Sequence, residues 1–176
     1  GMIALKEWCC RGYFEARIKC SYAEGRGPDY ACAFWIEGDD PYHAATSQRG
    51  IGPGGTEIDI MENFGPDYHT CCFWASGAAE DGGDGLSNEL YQVIDLDNNY
   101  IEEYHTYSLL WTEDYYAIYL DGVEMCRTSF LAGTAVVEEQ VLLSLLCCNI
   151  KPEKDASVQR ELYVDYVRIW QKPELE

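Results

Sequence analysis

Three acidic residues lie close together in the stretch from Thr56 to Gly65. Glu57 and Asp59 are separated by one residue, and residues at that spacing point to the same face of a β-strand. The isoleucines that alternate with them would then face a core. Strict alternation would also turn Glu62 toward that core, where an unpaired carboxylate is costly. We therefore predict a β-bulge at Met61 that returns Glu62 to the face of the other two acids.

Three acids on one face of a strand indicate a particular chemistry. Two glutamates that converge on a sugar-sized gap, with a third carboxylate between them to shift their pKa values, meet the requirement of retaining glycoside hydrolysis. The alternative is a solvated, acidic sheet face on an acidic protein. The spacing alone does not separate the two interpretations, so the flanking sequence has to decide.

Six blocks of sequence, in order along the chain, resemble glycoside hydrolase family 16, the laminarinase and lichenase family. The blocks are Gly12-Tyr-Phe-Glu-Ala-Arg-Ile-Lys19, Ala33-Phe-Trp35, Glu57-Ile-Asp-Ile-Met-Glu62, His105-Thr-Tyr107 with Leu110-Trp-Thr112, Tyr119-Leu-Asp-Gly122 and Val164-Asp-Tyr-Val-Arg168. The resemblance implies an all-β fold, an antiparallel sandwich of jelly-roll or concanavalin A-like type with a concave substrate cleft. It also implies a retaining endo-β-glucanase that hydrolyses β-1,3 or mixed β-1,3/1,4 glucans.

The resemblance assigns a role to each acid of the motif. Glu57 would be the nucleophile that forms the glycosyl-enzyme, Glu62 the general acid and then base, and Asp59 the partner that holds the nucleophile and its protonation. Residue chemistry requires one glutamate to carry a proton while the other does not, but it does not decide which. Two alternatives remain: a non-catalytic or weakly active carbohydrate-binding sandwich, and a transglycosylase, in which a sugar hydroxyl replaces water.

Five further residues are candidates for substrate binding. Glu15 and Arg17 match cleft-lining positions of the family and alternate with apolar residues, although a surface ion pair across the strand is the alternative. Trp35 matches an aromatic residue that stacks on a sugar ring. His69 and Phe73 share a strand face at period two, and Phe73 stands where laminarinase-like members usually carry histidine.

Neither a cofactor nor a metal site is predicted. His69 is separated in sequence from the other two histidines, and no pair of cysteines has the spacing of zinc ligands. Asp165 matches an acid that helps bind a structural calcium in some family members. Its partners there come from an N-terminal region that this sequence lacks. The prediction is therefore that no calcium is bound, and a structural calcium is the alternative.

Composition limits the domain organisation and the partners. The chain has 176 residues, of which 47% are hydrophobic and 14% aromatic, and this suits a single domain over residues 1–176. A net charge of −19 argues against nucleic acid, an anionic membrane or a sulfated polysaccharide as partner. The sequence shows neither a membrane-spanning stretch nor a signal peptide. A polysaccharide or oligosaccharide substrate is the partner that we expect.

The cysteines are predicted to be free thiols. There are nine of them, and six form adjacent pairs at 9–10, 71–72 and 147–148. Adjacent residues of a strand point to opposite faces, and an odd number cannot pair completely. Free thiols favour a reducing or anaerobic setting. The family resemblance implies an extracellular protein, so the sequence leaves the localisation open.

Periodicity predicts several strands and no helix. Residues 13–20 alternate as a half-buried strand. Residues 115–126 form a hairpin around Asp121-Gly122, a strong type I′ turn signal. Residues 141–148 are apolar on both faces, as in a central strand of a covered sheet, and residues 161–171 form the closing strand.

The N-terminus differs from the family pattern. Family members carry several strands before the block that begins at Gly12, whereas about ten residues precede it in this sequence. Part of the cleft wall would then be missing, and sheet edges would be uncovered. Because uncovered edges invite pairing, we expect either a homo-oligomer that covers the gap or a surrogate strand formed by residues 2–8.

Overall fold

The structure is a computed structural model of the chain. It describes residues 1–20, 30–38, 56–63, 69–75, 87–94, 103–129, 134–147 and 161–173. The strands are β1 (Met2–Cys9), β2 (Gly12–Cys20), β3 (Tyr30–Glu37), β4 (Glu57–Asn63), β5 (His69–Ala75), β6 (Ser87–Ile94), β7 (His105–Trp111), β8 (Tyr116–Leu120), β9 (Val123–Thr128), β10 (Glu139–Cys147) and β11 (Leu162–Trp170). The described ranges contain no helix that could cross a membrane.

The strands form two antiparallel sheets. One has six strands in the order β1-β10-β3-β4-β5-β6, and the other has five in the order β11-β2-β7-β8-β9. The core lies between them and includes fully buried side chains from both sheets, among them Phe14, Ile18, Phe34, Ile58 and Trp111. The predicted antiparallel β-sandwich is confirmed.

Local sequence explains several strands as predicted. In β2, Phe14, Ala16 and Ile18 have no exposed surface, while the residues between them are half-buried. β8 and β9 form the predicted hairpin. Asp121 has φ 49° and Gly122 has φ 78°, so both turn residues have the positive φ of a type I′ turn.

The connection from β1 to β2 passes from one sheet to the other and requires a glycine. Arg11 has φ 60° and Gly12 has φ 139°. A Cβ atom at Gly12 would lie 2.5 Å from the backbone oxygen of Trp170. The side-chain amide of Gln171 donates to the backbone oxygens of Cys10 and Arg11, at 3.1 and 3.2 Å. The crossing is therefore held by the close backbone approach of Trp170, at the end of β11, and by hydrogen bonds from the Gln171 side chain just after it.

The N-terminal segment forms a strand along a sheet edge, which is one of the two arrangements expected from the sequence. β1 pairs with β10 at the edge of the six-stranded sheet. The register shifts between Ala4 and Trp8, and the side-chain amide of Gln140 donates to the backbone oxygen of Leu5 at 2.7 Å within that shift. Self-association stays a prediction. β10, between β1 and β3, is the predicted interior strand.

Five of the nine cysteines have described side chains, and none of these five forms a disulfide: Cys9, Cys10, Cys20, Cys32 and Cys126. Cys20 of the five-stranded sheet and Cys32 of the six-stranded sheet meet in the core. The hydrogen bond between their side chains, together with burial, raises the pKa of the Cys20 thiol well above its ordinary value. This thiol is therefore protonated and packs as a small apolar group.

Candidate active site

The predicted bulge is present in β4. Asp59 pairs with Trp35 of β3, but the next pair is Met61 with Phe34, so Ile60 has no partner on β3. The prediction had placed the extra residue at Met61. Both residues of the bulge point into the core, with exposures of 2% for Ile60 and 1% for Met61.

The bulge sets the direction of the three acids. Ile58 is fully buried on the core side of β4, and the acids on either side of it point the opposite way. After two consecutive core residues, Glu62 returns to that outward side, where its partner on β3 is Ala33. Glu57, Asp59 and Glu62 thus share the face of the six-stranded sheet that is turned away from the core, named the open face below.

Exposure on the open face differs among the acids. Asp59 is only 3% exposed, whereas Glu57 and Glu62 are half-buried. The central acid is therefore well protected, and the outer two are accessible to a ligand.

Trp35 joins the three acids on the open face. It is the register partner of Asp59. Its indole N–H donates to the hydroxyl oxygen of Ser144 on β10 at 3.2 Å, and the residue is half-buried. The ring is therefore held in one orientation beside the acids, with part of its surface accessible.

The start of β4 is held by a buried polar cluster. Glu139 is fully buried, and its Oε1 accepts a hydrogen bond from the backbone N–H of Thr56 at 2.5 Å. The hydroxyl of Tyr116 accepts from the backbone N–H of Ala135 at 2.6 Å and donates to the Thr56 hydroxyl at 3.5 Å. Burial raises the pKa of Glu139 well above its ordinary value and so favours the neutral form of this carboxyl group. The cluster fixes the residue that directly precedes Glu57.

Glu37 is a fourth acid at the open face. It lies at the end of β3, in phase with Trp35, and it is half-buried. Burial and the charge of Glu57 raise the pKa of Glu37 to about 7. Sequence reasoning missed Glu37, although its position two residues after Trp35 was a signal that both share a face.

Glu15 and Arg17 are not in this site. They belong to β2 of the five-stranded sheet and alternate with core residues, so they point away from the sandwich on its opposite side. Arg17 donates to Asp165 of β11 at 2.6 Å, and Arg168 lies 4.0 Å from Glu15. The structure shows the surface ion pairs that were the alternative to a cleft-lining role.

The remaining candidates are His69, Phe73 and Asp165. His69 and Phe73 lie in β5, with backbone positions paired to Asn63 and Ile58, and their side chains are outside the described part of the structure. Asp165, the acid considered as a calcium ligand, accepts a hydrogen bond from Arg17. Among the described residues, no group of three or more His, Cys, Asp or Glu side chains could hold a metal ion.

The family model for glycosyl hydrolases family 16 matches residues 2–135, about three quarters of the sequence. The chain belongs to glycosyl hydrolase family 16. The predicted family is therefore confirmed, and the acids of β4 lie inside the matched region. No curated protein sequence is significantly similar to the chain.

Solved structures of family 16 enzymes share the fold. A kappa-carrageenase from Zobellia galactanivorans has a TM-score of 0.72 at 22% identity, covering 98% of this chain and 71% of its own. The laminarinase catalytic domain from Thermotoga petrophila RKU-1 has a TM-score of 0.68 at 19% identity, covering 98% and 68%. A Bacteroides ovatus family 16 protein of a mixed-linkage glucan locus, in complex with the product G4G4G3G, has 0.67 at 20%, covering 94% and 71%. These identities establish the fold and do not select a substrate.

Proposed function

We propose that the protein is a retaining endo-β-glucanase that hydrolyses β-1,3 or mixed β-1,3/1,4 glucans and needs no cofactor. The observation that carries the proposal is the bulge of β4, which brings Glu57, Asp59 and Glu62 to one face. A solvated acidic strand would have no need of an irregularity that returns Glu62 from the core. Membership of glycosyl hydrolase family 16 supports the same reading.

The arrangement fits a double displacement. In the first step, Glu57 attacks the anomeric carbon, the glycosidic C–O bond breaks, and Glu62 gives its proton to the departing oxygen. In the second step, Glu62 takes a proton from water, the water oxygen attacks the anomeric carbon, and Glu57 leaves as a carboxylate. Buried Asp59 lies between the two and favours a proton on whichever glutamate is less well hydrogen-bonded. For retention, the carboxyl groups of Glu57 and Glu62 should be about 5–5.5 Å apart.

Charge favours a neutral polysaccharide among those that similar proteins act on. The net charge of −19 repels an anionic chain and does not oppose an uncharged glucan. The half-buried ring of Trp35 beside the acids offers an apolar surface for a sugar ring. Similar structures include a laminarinase and a mixed-linkage glucan enzyme, and this supports a glucan as the first substrate to test.

The experiment is the release of reducing ends from a panel of polysaccharides: laminarin, mixed-linkage β-glucan, kappa-carrageenan and mucin O-glycans. We expect activity on the first two, with oligosaccharide products of several lengths and initial retention of the β-anomer by NMR. Glu57→Gln is the inactive control, and Glu15→Gln, on the opposite side of the sandwich, is the matched active control.

Each alternative has its own outcome in this experiment. Binding of laminarin in affinity electrophoresis without release of reducing ends would favour the carbohydrate-binding sandwich. Products longer than an oligosaccharide substrate would indicate a transglycosylase. Activity on kappa-carrageenan alone would exclude the glucanase proposal and leave the family assignment intact.

A further inference from the structure

Glu37 stands beside the candidate nucleophile and has no part in the mechanism proposed above. Ile36 pairs with Ile58 across β3 and β4, so the next residues outward in this antiparallel register are Glu37 and Glu57. Side chains opposite each other in this way share a face, with Cβ atoms about 4.5–5.5 Å apart. Both residues are half-buried. The two carboxyl groups therefore lie next to each other on the open face, where both are partly shielded from water.

The strands on both sides of Glu37 bring no positive charge to it from its described neighbours. On β4, Glu57 faces it and Asp59 follows on the same face. On β10, its register partner is the uncharged Gln140, and the preceding residue is a further acid, Glu139, whose neutral form is favoured by burial. Two carboxyl groups this close cannot both ionise without a large cost, so one of them holds a proton.

We propose that Glu37 is a positioning residue that shares a proton with Glu57 and thereby sets the charge at the candidate nucleophile. The inference rests on the proposed function and deepens it by naming a residue that controls the same site. Below a pH of about 7, Glu37 holds the proton and faces the Glu57 carboxylate as a neutral group. Above a pH of about 7, Glu37 ionises and a second anion faces Glu57.

The second anion acts on the second half of the reaction. As water attacks the anomeric carbon and Glu62 takes a proton from that water, the bond between the anomeric carbon and the Glu57 oxygen breaks. The electron pair of this bond returns to Glu57 as a negative charge. An ionised Glu37 opposes that charge, so turnover falls as pH rises through about 7.

The coupling between Glu37 and Glu57 can be measured without an activity assay, by ¹³C NMR titration of the glutamate carboxyl carbons in the whole chain. In the wild type, Glu37 should titrate near pH 7. In Glu57→Gln, the pKa of Glu37 should fall but stay above its ordinary value, because burial, the larger cause of the shift, remains while the charge that faces it is gone. In Glu37→Gln, the titration step near pH 7 should disappear. Glu15→Gln is the matched control and should leave the titration of Glu37 unchanged.

Two results would overturn the proposal: a Glu37 that titrates as an ordinary glutamate, or one that titrates identically in Glu57→Gln. Either result would overturn the proposal even if the protein hydrolyses glucan. If Glu37→Gln does not fold, the titration of Glu37 in Glu57→Gln is sufficient to test the coupling. Coupled titration in a protein inactive on every glycan would support the carboxyl pair and exclude the proposed function. In an active protein, Glu37→Gln should keep its kcat on laminarin above pH 7, where the wild type declines. Identical pH profiles would exclude control of turnover by Glu37.

Discussion

β2 and β4 carry polar side chains on outward faces of opposite sheets, and the two faces are built differently. On β2, Glu15 and Arg17 carry opposite charges and meet residues of opposite charge on β11. On β4, the outward side chains all carry the same sign, and Glu37 on β3 adds a fourth acid. Like charges directly opposite each other on a sheet are destabilising. The grouping of four acids on one face is the feature on which the proposed glucanase chemistry depends.

The strands also differ in regularity. The residues of β2 alternate between core and surface without interruption, as the sequence predicts. β4 breaks its alternation once, at Ile60 and Met61, and this break directs Glu62 outward. The difference teaches that an irregularity with a cost is better evidence of function than a polar face that follows the ordinary period.

The largest expected effect concerns the acids of β4. Glu62→Gln should slow the hydrolysis of laminarin by about 10²-fold to 10⁴-fold, the usual contribution of a general acid/base. Glu57→Gln should abolish the glycosyl-enzyme, which mass spectrometry can detect with a slow fluorinated substrate. The free energy of unfolding should change little in both variants. If Glu62→Gln hydrolysed laminarin at the wild-type rate, the outward face of β4 would not differ from that of β2 in catalytic role.

The next effect tests the backbone contact that positions β2 against β11. Gly12→Ala should lower the free energy of unfolding by about 3 kcal/mol, because its φ is unfavourable for alanine and the new Cβ would collide with a backbone oxygen. Gly122→Ala is the matched control. It also has a positive φ but meets no atom within 4 Å, so about 1 kcal/mol is expected. Equal losses in urea denaturation would show that the crossing at Gly12 is not specially constrained.

A smaller effect concerns the buried support of β4. Glu139→Leu leaves the Thr56 N–H without its acceptor and should cost about 1–3 kcal/mol. Glu139→Gln keeps an acceptor and cannot ionise. Because burial raises the pKa of Glu139 above its ordinary value of 4.5, its stabilising contribution is full below that value and is lost as pH rises toward the folded pKa. Denaturation at pH 5 and pH 8 should therefore show a smaller loss of stability in Glu139→Gln than in the wild type.

The smallest effect is expected on the outer face of β2. The side chains of Arg17 and Asp165 are 39% and 50% exposed, so Arg17→Met should change the free energy of unfolding by at most about 1 kcal/mol. Its kcat/KM on laminarin should equal that of the wild type. A loss of more than about tenfold, on the scale of a direct binding contact, would restore Arg17 to the substrate site and contradict the comparison.

Sequence alone could predict the features that depend on neighbouring residues. The period of β2, the turn at Asp121-Gly122 and the outward return of Glu62 all follow from side-chain direction and the cost of burying charge. The position of Arg17 could not be predicted in this way, because period two gives the side of a strand but not the sheet to which the strand belongs. The sheet to which a strand belongs depends on pairings between distant segments, such as β2 with β11. Glu139 was missed because its acceptor role requires the position of Thr56, 83 residues away.

The extra residue of β4 also determines how the length of this motif can vary. Deleting either Ile60 or Met61 leaves a strand that alternates without interruption, in which Glu62 still falls on the same side as Glu57. Deleting both would turn Glu62 inward. The three acids can therefore be encoded at two different lengths with the same directions in space. A search pattern that fixes the spacing would separate two groups of proteins that the geometry of the strand treats as one.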